Sequence, residues 1–305
     1  MPPPHPTDAP RAGLLQVHAA VLLFGLAGLF GKFLDLPAPL ITLGRVVFAA
    51  LALGIVLAAR RSPFALQQRR DYLLLPLTGV VLAVHWAAFF QSIQVSTVAV
   101  GLVSFATFPV FVTFLEPPLT HQPLRRVDVL LALLTLAGAA LVVPSFALAN
   151  NVTQGVLWGL LAAGSFAVLA LFNRHYVQRY PSLLVSFWQQ GAAALVLLPS
   201  LFLYAEPVGV IDLLLLALLG VVFTALAHTL FIGGLRGVKA QTASLIASLE
   251  PVYGIIFAAL LLGEVPSPRT LLGGAIILGV VLYSSLSNAE AQRLRSDHRE
   301  KERKA

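Results

Sequence analysis

Few side chains in this sequence can do chemistry, and nearly all of them sit inside apolar runs. Glu250 is the only acid deep in such a run, because the six aspartates fall in loops, termini or run ends. Pro251 follows it directly, and proline lacks a backbone donor and bends a helix. A carboxyl held there can bind and release a proton, or hold an amine or Na⁺; the plainer alternative is a structural acceptor at the proline break. His85 and His228 lie about equally far along the two halves of the chain. Imidazoles can relay protons or bind a carboxylate, whereas a neighbouring helix carbonyl would simply satisfy them. Two isolated histidines without a third ligand make no metal site. Arg45 is the one cation well inside a run. It can grip a carboxylate through two parallel hydrogen bonds, and the reading preferred over direct binding is a gating or structural one.

The aromatic and amide residues extend this set. Trp86, Trp158 and Trp188 are the only tryptophans, and Trp86, Phe89 and Phe90 surround His85. Such rings stack on an aromatic substrate or face an ammonium group, although an interfacial belt is the default for Trp158 and Trp188, which lie near run ends. Gln189 and Gln190 follow Trp188, and a paired amide inside an apolar run is expected to turn at least one member toward a cavity. Phe89 and Tyr253 complete the candidate binding residues.

The elements that must carry these residues follow from composition. Of 305 residues, 58% are hydrophobic and 11% charged, against about 25% charged in soluble domains. Backbone in lipid must satisfy its own hydrogen bonds, and roughly 20 apolar residues cross a bilayer as a helix. Cutting at charge and proline predicts an all-α integral membrane protein with ten spans at 13–34, 39–59, 72–93, 95–114, 127–143, 153–172, 183–204, 212–233, 240–262 and 269–286. Residues 1–12 form an N-terminal segment without signal-peptide order, and 287–305 form a charged tail. With this map, 17 of the 20 Lys and Arg fall on the side of the N-terminus; Lys32 and Arg269 lie opposite. Both termini are therefore expected to be cytoplasmic. Absence of cysteine excludes disulfides and thiol chemistry. The charge of +7 is spread over short loops and a tail, which fits membrane orientation and not nucleic-acid binding.

Sliding the sequence on itself reveals a repeat. SIQVSTVAVGLVSFATFPV around Pro109 lines up with GLRGVKAQTASLIASLEPV around Pro251, Gly138 with Gly279, Pro37 with Pro181 and Arg45 with Gln189. Repeats of five spans, 13–143 and 153–286, must enter the membrane in opposite senses, which permits alternating access to a site near the midplane. The fourth and ninth spans, interrupted at Pro109 and Pro251, are expected to line the pathway. Small residues at Gly25, Gly28 and Gly31, and at Gly155 and Gly159, signal close helix packing.

With these blocks, above all SLEPVYGIIFAALLLGE from Ser248 to Glu264, the chain resembles the EamA family of the drug/metabolite transporter superfamily over about residues 13–286. The resemblance implies export of small metabolites, and YddG-type aromatic amino-acid exporters are one example of such members. In the first half Phe108 stands where the family pattern has glutamate, and the glycine-glutamate helix end is missing. No nucleotide-binding loop occurs, so a gradient or ion would drive transport. A lipid-linked flippase is the nearest alternative. A channel and a membrane-embedded enzyme are weaker, since spans hold one Glu and separated histidines. The expectation is a cofactor-free, metal-free inner-membrane carrier of a small molecule, with a cavity wide enough for an amino acid; oligomeric state is left open, a monomer being compatible.

Overall fold

Apolar runs bounded by proline, glycine or capping side chains fold into helices throughout the described residues. A computed structural model describes residues 8–120, 126–143, 147–204, 206–238, 243, 246–247 and 249–283. The proline-rich start, Arg125, Lys239, the charged tail and most of the expected early turns of the ninth span lie outside them. The helices are α1 (Asp8–Ala27), α2 (Phe30–Phe33), α3 (Ala38–Ala59), α4 (Asp71–Val95), α5 (Val98–Phe105), α6 (Phe108–Thr120) and α7 (Arg126–Val142). They continue with α8 (Asn151–Tyr176), α9 (Ser182–Leu197), α10 (Ser200–Leu203), α11 (Val210–Gly220), a π turn at Val221–Leu226 and α12 (Ala227–Gly234). Two more, Glu250–Leu262 and Pro268–Tyr283, close the described chain.

Among the described residues, seven segments are long and apolar enough to cross a membrane: Ala12–Phe33, Ala38–Ala59, Asp71–Val95, Val98–Glu116, Asn151–Tyr176, Ser182–Leu203 and Val210–Gly234. Val129–Val142, Glu250–Leu262 and Pro268–Tyr283 are shorter apolar helices at the remaining three expected positions. Local chemistry sets the boundaries. Pro37 and Pro181 cap α3 and α9 with nearly the same backbone angles, φ −55° and −58°, ψ 143° and 140°. Asn150 accepts from Val152 and Thr153 N–H to start α8, and Thr97 accepts from Val100 N–H to start α5. The fourth apolar run breaks between Phe105 and Phe108, and the ninth run resumes as helix at Glu250, in each case one residue before the proline. At its far end Gly263, at φ 67°, supplies the left-handed residue that ends the Glu250–Leu262 helix. The π turn was not foreseen from the sequence.

Packing has matched features in the two halves. Gly79 on α4 lies against the backbone carbonyl of Gln189, and Gly220 on α11 against that of Arg45. A side chain at either glycine would collide with that backbone, so each lets one helix of one half lie on the second long helix of the other. Helix α8 packs on α4, α5 and α6, while α1 packs on α12 and on Glu250–Leu262. Gly155 and Gly159 sit against Ser92, Ser96 and Ser104, and Gly25 sits against Glu250 and Gly254.

Contacts between connections fall into two sets. Arg179 pairs with Asp71 at 3.3 Å, Arg174 with Glu116 at 3.0 Å, and Arg236 donates to the carbonyls of Val177 and Tyr180. These join the arginine-rich connections to one another. The others are joined by Lys32 donating to Ser96 O at 2.9 Å and Val98 N–H donating to Glu264 at 2.9 Å.

Candidate functional site

The breaks and bends converge on a central cavity. Phe24, Ala27, Arg45, Leu82, His85, Trp86, Phe89, Phe105, Phe166, His228 and Glu250 line it. The room left between these side chains is small, fit for water-sized guests. The cavity is thus narrower than the sequence led one to expect, because Phe89, Phe105 and Phe166 pack edge to face across it.

Arg45 is buried, with 2% of its surface exposed. Its guanidinium carbon lies 3.9 Å from the Trp86 ring centre and 5.2 Å from that of Phe90, and Nε donates to Thr224 Oγ1 at 2.9 Å. The π turn makes the last contact possible: Thr224 returns its own proton to the Leu219 carbonyl five residues back, which turns its lone pairs to Arg45. The terminal amino groups of Arg45 have no hydrogen-bond partner among the described residues. Glu250, also buried, makes no hydrogen bond or direct ion pair among them and feels Arg45 only at a distance. Buried charges are ordinarily paired, so two opposite charges left open on one cavity describe a polar receptacle.

His85 Nδ1 lies 2.8 Å from the Ala162 carbonyl, and His228 Nε2 lies 3.0 Å from Gln189 Oε1. Gln189 Nε2 in turn donates to Thr78 Oγ1 at 2.9 Å and Asn173 Oδ1 at 2.7 Å. Gln189 therefore reaches the cavity through His228. Gln190 is fully buried with neither amide atom bonded.

The other expected residues lie elsewhere. Trp158 is 40% exposed on α8, and Trp188 Nε1 donates to the Phe64 carbonyl at 3.0 Å with its edge toward Tyr72. Tyr253 packs beside Gly25 next to the cavity wall, while Pro109 and Pro251 begin α6 and the Glu250–Leu262 helix. Sequence reasoning missed Thr224, Thr78 and Asn173. Thr224 had a signal: a hydroxyl in an apolar run, one helical turn before His228.

A second space of about 400 Å³ lies toward the arginine-rich connections, lined by Phe108, Val112, Glu116, Arg174 and Phe231 among others. It shares Phe166 with the central cavity. Among the described residues, no cluster of three or more metal-ligating side chains occurs.

Apolar helices of membrane length around an interior cavity with buried, open charges define a multi-pass membrane protein of the carrier type. The EamA-like transporter family matches residues 11–143 and again 153–286, and the chain belongs to that family. Its relatives include an uncharacterized transporter of Archaeoglobus fulgidus, 29% identical over 90% of this chain and 96% of the relative. The uncharacterized inner membrane transporter YicL of Salmonella typhimurium is 26% identical over 93% and 98%, and the uncharacterized transporter YwfM of Bacillus subtilis 28% over 68% and 72%. A solved structure, titled only as the crystal structure of a protein, superposes with a TM-score of 0.65 at 21% identity over 93% of this chain and 99% of its own, so the fold is shared.

Proposed function

We propose that this protein is a secondary transporter that exports amino acids, aromatic or hydrophobic ones foremost, by alternating access between two inverted five-helix repeats. The observation that carries the reading is the open pair Arg45 and Glu250 on a cavity walled by Phe24, Phe89, Phe105 and Phe166. A guanidinium fork matches a carboxylate, a carboxylate matches an ammonium, and the rings match an apolar side chain. Ten crossings are supported by the grouping of the connections. Residues 96–98 meet Lys32 and Glu264, whereas residues 174–180 meet Asp71, Glu116 and Arg236, so the shorter helix Glu250–Leu262 also carries the chain from one group to the other. Matched capping at Pro37 and Pro181, and matched glycine contacts, support an inverted pair.

The narrow cavity corresponds to a closed stage of the cycle, and the adjoining space behind Phe166 is the way to the cytoplasm. The arginine-rich side faces inward, so both termini are cytoplasmic in an inner membrane.

Counterflow tests the reading. Proteoliposomes loaded with unlabelled phenylalanine should accumulate labelled phenylalanine well above empty liposomes. Failure of phenylalanine, leucine and every other amino acid to exchange would refute amino-acid transport, and exchange of lipid-linked substrates instead would establish a flippase.

A further inference from the structure

We infer that the cavity recognises a primary ammonium group through three acceptors, Glu250, His85 Nε2 and His228 Nδ1, and that Gln189 is the positioning residue for the last of them. The inference rests on the amino-acid reading above and goes further, because it assigns the histidines a role and specifies which amines fit.

Thr78, outside the cavity, sets the orientation of Gln189. Its hydroxyl donates to the Leu75 carbonyl at 2.6 Å, so only lone pairs remain for Gln189, 2.9 Å away. The facing atom of Gln189 must therefore be the donor Nε2, which fixes the amide without any assumption about Asn173. Oε1 then faces His228 Nε2 at 3.0 Å, and since Oε1 only accepts, Nε2 carries the proton. A neutral imidazole has one N–H, which leaves His228 Nδ1 as a bare acceptor. His85 follows by a shorter route. Its Nδ1 lies 2.8 Å from the Ala162 carbonyl, which can only accept, so Nδ1 holds the proton and Nε2 is bare. Neither bare nitrogen has a hydrogen-bond partner among the described residues, and both histidines line the cavity with Glu250.

An ammonium group carries three N–H donors, and the cavity offers a carboxylate and two imidazole acceptors left open. Trp86 neighbours both the histidines and the opposite charge: its ring lies 3.9 Å under the Arg45 guanidinium and 5.7 Å and 6.3 Å from the rings of His228 and His85. A site built to satisfy N–H donors rejects molecules that lack them far more strongly than an apolar pocket rejects a missing methylene. The cavity should thus refuse N-acylated amino acids and plain carboxylic acids even when their side chains fit.

Counterflow of labelled phenylalanine by the wild-type protein, with unlabelled competitors, tests this. Unlabelled phenylalanine should compete at least about a hundredfold better than N-acetylphenylalanine and 3-phenylpropionate. Gln189→Glu tests the positioning role. A carboxylate there still accepts from His228 Nε2 but draws a second proton onto the ring, so Nδ1 becomes a donor. The ratio of phenylalanine to 3-phenylpropionate competition should then fall about tenfold or more, whereas a merely structural loss would weaken both competitors alike. If phenylalanine exchanges and N-acetylphenylalanine competes within about threefold of it, the ammonium cradle is wrong while amino-acid transport stands. If no amino acid exchanges, the transport reading itself fails. The competitor series needs no variant, so a Gln189→Glu protein that does not fold leaves the test intact.

Discussion

Eight residues beyond the proline that starts each second long helix, the first repeat carries Arg45 and the second carries Gln189. One residue before the proline of each interrupted helix, the first repeat carries Phe108 and the second Glu250. Each repeat thus supplies one charge, and its counterpart at the equivalent place is neutral. Phe108 stacks on Phe105 and meets Phe166 edge to face, and Gln189 is bonded to Thr78, Asn173 and His228. Arg45 and Glu250 keep their polar ends open to the cavity. The frame is matched while the chemistry is not: the cavity carries a guanidinium from one repeat and a carboxyl from the other, which under the proposed function would fix the orientation of a solute.

The most severe break of this comparison is to make the repeats alike. Arg45→Gln and Glu250→Gln should each lower phenylalanine counterflow by about a hundredfold or more, since each removes one end of the receptacle. The double variant separates binding from mutual charge compensation. Removing one buried charge strands the other, whereas removing both relieves the burial cost, so the double variant should unfold at a higher temperature in detergent than either single one. It should still fail to transport. Recovery of transport in the double variant would mean that the two charges serve only each other.

How much of this was legible beforehand depends on the range of the interaction. Helical runs, the two repeats and the isolation of Arg45, His85, His228 and Glu250 are local or periodic features, and lipid makes each polar residue in a run stand out. The structure gathers these four with Trp86 and Phe89 on one cavity. The Trp158 and Trp188 positions gave no such guide, because helix phase over long, uniformly apolar runs is hard to read when lipid and core prefer the same side chains. Thr224 escaped notice for another reason: it is aimed at Arg45 by a π turn that begins just after Gly220, where the helix lies against Arg45 and Phe48, and such a tertiary contact leaves no local pattern. Asn173 lies just past the expected 153–172 span, yet it is buried against Gln189.

The two aspartates that open equivalent helices also differ. Asp212 is a local cap, accepting from Gly209 N–H at 2.9 Å near the surface. Asp71 is buried and ties the repeats together, accepting from the Tyr180 hydroxyl at 2.5 Å and pairing with Arg179. Asp71→Asn should therefore cost about 3 kcal/mol in detergent unfolding, and Asp212→Asn less than about 1 kcal/mol. Burial, then the bond to Asp71, push the Tyr180 phenol above its usual pKa of 10.0. A group raised in the folded state contributes fully below its unfolded pKa and loses that contribution as pH rises through the folded one. Stability of the wild type should thus decline above the ordinary tyrosine range, and Tyr180→Phe should remove this part of the alkaline slope. Equal costs for the two aspartate variants would erase the distinction between tie and cap.

The smallest expected effect separates the tryptophans. Trp86 lies under Arg45 and inside the cavity, whereas Trp158 is 40% exposed on the outer face of α8. A stacked ring that orients a buried guanidinium is worth about 2 kcal/mol, so Trp86→Ala should raise the half-saturating phenylalanine concentration by about tenfold or more. Trp158→Ala removes a lipid-facing ring and should change it by less than about twofold, with the number of correctly inserted molecules equalised by quantifying protein in the liposomes. A tenfold effect at Trp158 would mean that the substrate path runs along the outer face of α8 and not through the bundle, which is the geometry a lipid-side opening requires.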